Sequence, residues 1–181
     1  MIFFRNQMIN LMLSLGFLAA PLANAHLMVA QHGTLNFLND DVFMVLSVPM
    51  SAFKGIDSDN DGKVTMIEFN NHREAIGKTV KANIALSDNS TSLPLTGLML
   101  SPVVHHHGTT QGITQLALMG KFKLAATVNR PDALSLLKFH VGLFGNKKKE
   151  RALEITATNT AANQKRVFTL TPKSNTARVF E

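Results

Sequence analysis

The chain has 181 residues, a formal net charge of +6 and no cysteine. This length suits a single domain with its own hydrophobic core. The lack of cysteine excludes disulfides, thiolate metal sites and a lipid-modified cysteine behind an export signal. Because the basic residues are scattered and the chain has neither Trp nor Tyr, we do not expect nucleic-acid binding.

The first 25 residues follow the pattern of a removable signal peptide. Arg5 precedes an apolar run over Met8–Ala20, and Ala23-Asn24-Ala25 places small residues where a cleavage site needs them. The run is short for a bilayer span, and no second long apolar segment follows. We therefore expect a periplasmic or secreted protein whose mature chain, residues 26–181, is one domain without a membrane span. The alternative is an uncleaved membrane anchor.

Apolar and polar residues alternate with period two along most of the mature chain, which is typical of half-buried β-strands. Turn-forming residues separate these stretches, and Pro49 is expected to end the second strand. The pattern predicts a mainly β (α+β) fold, an antiparallel β-sandwich or a barrel-like domain. The predicted strands are Leu27–Phe37, Asp41–Val48, Val80–Leu86, Leu93–Leu100, Thr114–Ala126, Leu134–Phe144, Ala152–Thr158 and Arg166–Thr171.

One loop and one helix, at about residues 50–77, interrupt the strands near the N-terminus. Met50–Ile56 is predicted to form a short helical turn, and Thr65–Ile76 a helix. Thr65 and Glu68 have the spacing of a capping box, in which each residue satisfies a backbone N–H of the other. Gly77 is a suitable C-terminal stop for the helix.

An acidic loop of twelve residues, Asp57–Glu68, precedes this helix. Asp57, Asp59 and Asp61 alternate, so their carboxylates can converge on one cation. Gly62 permits the sharp turn that wraps the chain around an ion. Four carboxylates held close together repel one another without a cation, so ion binding should order the loop.

The remaining positions of the loop also suit a hard cation. Lys63 can offer its backbone carbonyl, Thr65 can ligate directly or through a water, and Glu68 can close the shell with both oxygens. Oxygen ligands in this number favour Ca²⁺, with Mg²⁺ as the main competitor. The alternative is a solvated acidic turn that binds no metal.

The segment Asp57–Glu68, followed by Phe69, resembles the EF-hand superfamily, and specifically the single-loop variants found in bacterial exported proteins. The resemblance covers only about residues 50–77. EF-hands usually occur in pairs, and the sequence has no second loop, so the β-scaffold would have to brace this one. The Ca²⁺ ligands that the resemblance implies are Asp57, Asp59, Asp61, Lys63 through its carbonyl, Thr65 and Glu68.

The histidines suggest a second, alternative metal site. Cleavage after Ala25 would make His26 the N-terminal residue, which offers an amine and an imidazole nitrogen to Cu²⁺ or Zn²⁺. His105 and His107 would share one face of an extended segment and could supply further nitrogens. The competing interpretation is that residues 105–107 form a solvent-exposed loop.

No phosphate-binding Gly-x-x-x-x-Gly-Lys, nucleophile elbow or His-Glu-x-x-His motif occurs in the sequence, and we do not expect an enzyme. The leading hypothesis is a Ca²⁺-binding accessory or interaction module outside the cytoplasm, with an unidentified protein or cell-envelope partner. The alternative is a periplasmic carrier of copper or another transition metal, which would use His26 and other histidines.

Overall fold

The structure, a computed structural model, describes residues 29–88, 91–104, 112–124 and 134–180. Within these ranges the chain is mainly β, as the alternating pattern predicts, and it contains one α-helix, α1, at Met66–Asn83. Short 3-10 helices cover Met50–Ala52 and Lys148–Glu150. The strands are β1 His32–Leu38, β2 Asp41–Pro49, β3 Ile84–Ser87, β4 Ser92–Leu93, β5 Thr96–Val104, β6 Ile113–Lys123, β7 Lys138–Val141, β8 Leu153–Asn159, β9 Gln164–Leu170 and β10 Thr176–Arg178.

The described strands form two sheets. One has six strands in the order β5-β6-β2-β1-β8-β9, and the other has four in the order β10-β7-β3-β4. Neighbouring strands are antiparallel except for β1 and β8, which run parallel, with His32 opposite Glu154 and Phe37 opposite Asn159. This pair departs from the predicted antiparallel arrangement. A long crossover separates β1 from β8, so no tight turn fixes their relative direction.

Both sheets contribute to one hydrophobic core. On β2, Val42 and Leu46 are fully buried, as the period-two alternation predicts. The rings of Phe122 on β6 and Phe139 on β7 meet edge to face, with centroids 6.4 Å apart, and so connect the two sheets. Helix α1 adds a buried face to the same core through Phe69, Ile76 and Val80.

The helix starts where predicted but ends later. Thr65 is its N-cap, and the helix continues through Gly77 to Asn83 instead of stopping at Ile76. Val80 lies one turn beyond Ile76 on the buried face. Burying a valine contributes about 1.5–3 kcal/mol, whereas a helical glycine costs about 1 kcal/mol, so packing outweighs the glycine. The predicted strand Val80–Leu86 is consequently reduced to β3, at Ile84–Ser87.

Two further predicted strands differ in extent from the described ones. The segment Leu93–Leu100 is divided between β4 and β5, with Pro94, which has no N–H for a sheet ladder, between them. The segment Leu134–Phe144 contains only β7, because the Leu137 N–H bonds to the Leu134 carbonyl at 3.2 Å and closes a turn there. The other predicted strands overlap described ones, and β2 ends at Pro49 as predicted.

No helix in the described ranges combines the length and the apolar character that a membrane crossing requires. The predicted signal peptide, residues 1–25, lies outside these ranges. Its cleavage stays a prediction.

Candidate metal centre

The acidic loop lies between the 3-10 helix that follows β2 and the start of α1. The capping box that the sequence predicts at the C-terminal end of this loop is confirmed. The Thr65 hydroxyl accepts the Glu68 backbone N–H at 3.2 Å, and Glu68 Oε2 accepts the Thr65 backbone N–H at 2.9 Å. The same Oε2 also accepts the Thr65 hydroxyl proton at 2.9 Å. The first turn of the helix is thereby joined to the end of the loop.

Backbone turns direct the acidic side chains inward. Gly62 has φ +84°, a left-handed conformation that glycine adopts without steric penalty. Its N–H donates to Asp57 Oδ2 at 2.9 Å. Asp59 Oδ1 accepts the Asp61 N–H at 3.2 Å, and Asp61 Oδ1 accepts the Lys63 N–H at 2.8 Å. Each aspartate therefore holds a backbone group further along the loop, which closes the loop on itself.

Three carboxylates converge inside this turn. One oxygen from each of Asp57, Asp59 and Asp61 lies within 4.8 Å of the other two. Two oxygens that both lie about 2.4 Å from one Ca²⁺ can be at most about 5 Å apart. The spacing of the three aspartates is therefore compatible with a shared hard cation, and their convergence agrees with the sequence prediction.

Asp57 has an unsatisfied oxygen at this point. Its side chain is half-buried, and its Oδ1 is inaccessible to solvent and has no hydrogen-bond partner. Leaving a buried acceptor unpaired costs about 1–3 kcal/mol. A cation that Asp57 binds through this oxygen would satisfy it, and a set of carboxylate oxygens suits a Ca²⁺ or Mg²⁺ ion.

Glu68 lies beside this group but is not part of it. Its side chain is buried, with 8% of the residue exposed, and its Oε1 accepts the Ser58 backbone N–H at 2.7 Å. The backbone N–H of Thr65, followed by that of Ser58, lowers the pKa of Glu68 below its usual value. Glu68 therefore joins both ends of the loop as an anion, in addition to its expected role as a ligand.

The six-stranded sheet braces the loop through β6. The N–H of Ile113, the first residue of β6, donates to the Val64 carbonyl at 2.8 Å. The chain at Gly112 packs closely on Lys63, because a Cβ at Gly112 would lie 3.4 Å from the Cβ of Lys63. The sequence indicated that the scaffold must support the loop. It could not identify the supporting residue, since Ile113 and Val64 are distant in the chain.

His72 is a neighbour of the site that the sequence interpretation missed. Its Nε2 lies 3.1 Å from the Ser58 hydroxyl, and Ser58 also donates its backbone N–H to Glu68. The spacing could have indicated this position, because His72 follows Glu68 by one helical turn and must share its face of α1.

The alternative histidine site lies outside the described residues, because His26, His105 and His107 are not among them. Of the histidines that the structure describes besides His72, His32 contacts Glu154 at 3.2 Å and His140 contacts the Thr176 hydroxyl at 3.0 Å. In the described ranges no histidine belongs to a group of three converging metal-ligand side chains.

Comparison with known proteins gives no relative, since no family model and no curated protein matches the chain. The EF-hand resemblance therefore rests on the residues of the loop themselves.

Proposed function

We propose that this chain is a non-enzymatic Ca²⁺-binding protein of the periplasm or the extracellular space, a β-sandwich that holds one Ca²⁺ in an EF-hand-type loop at Asp57–Glu68. The proposal rests on one observation above the others. Three aspartate carboxylates converge within 4.8 Å, and the buried Oδ1 of Asp57 has no partner. A hard divalent cation is the simplest ligand that satisfies both features.

The proposed ligand set extends beyond the three aspartates. Lys63, through its carbonyl oxygen, Thr65 and Glu68 would complete the coordination, which gives Ca²⁺ the six or more oxygens that it prefers. Mg²⁺ demands a tighter octahedron and releases its waters reluctantly, so it is expected to bind more weakly.

In this proposal the ion has a structural role. The loop is connected to the sheet by the hydrogen bond from Ile113 to Val64, and to helix α1 by Glu68. A cation that binds between these two connections would hold α1 against the sheet. The loop and the helix, held in this way, would form an ordered surface. Such a surface suits an accessory or interaction module, with a protein or a component of the cell envelope as its partner.

Isothermal titration calorimetry on chelator-stripped mature protein tests the proposal. We expect saturable heat with Ca²⁺, weaker heat with Mg²⁺, and loss of Ca²⁺ heat in Glu68→Gln. The matched control is Glu74→Gln, which removes the same charge from the same helix at a side chain 85% exposed and paired with Lys78.

Unchanged Ca²⁺ heat in Glu68→Gln would show that the ligand assignment is wrong. A parallel titration with Cu²⁺ addresses the alternative carrier function. Glu68→Gln should keep any Cu²⁺ heat, because the histidines proposed for that site are separate from the loop.

A further inference from the structure

A polar cavity of about 460 Å³ adjoins the metal loop. Its wall is formed by the 3-10 helix after β2, by the loop itself, by the start of β6 and by the turn that contains Lys148–Glu150. This volume falls within the range of small-molecule sites. Three lysines line it, namely Lys54, Lys63 and Lys147.

The three cavity lysines form no close ion pair with a carboxylate of the described residues. The ion pairs of lysine in the described residues involve Lys78, Lys121 and Lys123, and none involves a lysine of the cavity. Positive charges gathered in a cleft attract an anion, because the low-dielectric walls concentrate their field.

Two carboxylates also line the cavity, and one oxygen of each accepts hydrogen bonds from neutral groups. Glu150 Oε2 accepts the Ser51 hydroxyl at 2.7 Å and the Lys147 backbone N–H at 3.3 Å. Asp57 Oδ2 accepts the Gly62 N–H within the metal loop. These donors are neutral, so both carboxylates keep their charge, and the three lysines and two carboxylates of the wall give it a net formal charge of +1.

We infer that this cavity binds a phosphate-type oxyanion, either inorganic phosphate or the phosphate of a small phosphomonoester, through Lys54, Lys63 and Lys147. Lysine is a common phosphate ligand because its ammonium group presents three donors and a full charge. Thr114 and Asn146 also line the cavity, and both are polar residues that can bind phosphate oxygens or the organic part of an ester.

The inference also predicts coupling to Ca²⁺, and this part rests on the proposed function. Asp57 and Lys63 belong to both the metal loop and the cavity wall. A bound cation would neutralise Asp57 and remove its repulsion of the oxyanion. Because such coupling is reciprocal, each ligand should raise the affinity for the other by the same factor.

The test is a titration of the chelated protein with inorganic phosphate and, separately, with glycerol phosphate, followed by amide chemical shifts at constant ionic strength. We expect saturable shifts around residues 54, 63 and 147, and at least about tenfold weaker binding in both Lys54→Gln and Lys147→Gln. The matched control is Lys173→Gln, an exposed lysine outside the cavity wall, which should bind as the wild type does. The probe that binds more tightly identifies the source of the phosphate.

Shifts that fail to saturate, or that weaken equally in Lys173→Gln, would overturn the inference, because they would indicate screening of the net charge alone. Calorimetry with Ca²⁺ on the same samples separates the two proposals. Phosphate binding without Ca²⁺ binding would refute the proposed function and leave the oxyanion site standing. Ca²⁺ binding without saturable phosphate binding would have the opposite meaning.

Discussion

The substitution Asp57→Asn should have opposite effects on stability with and without Ca²⁺. The converging aspartates hold one oxygen each within 4.8 Å of the others. At that separation two unit charges in water repel by about 0.9 kcal/mol, and salt reduces this value. Asp57→Asn removes the repulsion of Asp57 with Asp59 and with Asp61, while its amide oxygen can still accept the Gly62 N–H. The chelated variant should therefore be as stable as the wild type or up to about 1–2 kcal/mol more stable.

In excess Ca²⁺ the wild type should instead be more stable than Asp57→Asn. A ligand at about one hundred times its Kd stabilises the folded state by about 2.7 kcal/mol. For a chain of this size, 1 kcal/mol corresponds to about 2–4 °C in Tm, so the wild type should gain about 5–11 °C. The variant lacks the anionic oxygen that has no other partner, and its Tm should rise by no more than about 2 °C.

Thermal melts followed by circular dichroism compare the wild type and Asp57→Asn, each in chelator and in excess Ca²⁺. Glu74→Gln serves as the charge-matched control and should keep the full wild-type response. Two results would refute the reasoning. One is an undiminished Ca²⁺ shift in Asp57→Asn, and the other is a chelated variant that melts many degrees below the wild type, which would make Asp57 a structural residue.

Three further predictions concern the connections of the loop. In chelator, Thr65→Ala should lower the free energy of unfolding by about 1 kcal/mol because the N-cap is removed. This loss corresponds to about 2–4 °C in a thermal melt. Thr65→Ser keeps the hydroxyl, so equal melting of the two variants would exclude the capping role. Ile113→Pro removes the N–H that Val64 accepts and should weaken Ca²⁺ binding about two- to tenfold by calorimetry, whereas Ile113→Ala keeps this N–H and should retain the affinity despite its lower stability. Because hydrogen bonds hold the pKa of Glu68 below its usual 4.5, its ionised form stabilises the fold fully above that pH, and this stability is lost as the pH falls through the lowered pKa. Urea unfolding in chelator from about pH 6 to pH 3 should show the advantage of wild type over Glu68→Gln shrinking on acidification, and a constant difference would contradict this.

The start and the end of helix α1 show which parts of the fold the sequence could predict. The start depends on Thr65 and Glu68, which are three residues apart, so the sequence contains the whole interaction. The end depends on the burial of Val80 against the core. Val80 stands at helical spacing from Ile76, but only the tertiary packing decides that the helix continues through Gly77. Similarly, the parallel pairing of β1 with β8 joins distant segments, and alternation specifies a buried face but no partner strand.

The same division holds for the candidate site. The convergence of Asp57, Asp59 and Asp61 follows from alternation and a glycine turn, and both are local. The brace from Ile113 and the cavity lysine Lys147 come from other parts of the chain. The packing of the two sheets sets their positions relative to the loop. The pattern of apolar and polar residues does not predict that packing.

Diffraction from crystals grown with millimolar Ca²⁺, recorded at a wavelength where calcium scatters anomalously, tests the central claim most directly. We expect an anomalous peak in the loop, about 2.3–2.6 Å from an oxygen of each of Asp57, Asp59 and Asp61. An ordered loop at Asp57–Glu68 without such a peak would contradict it.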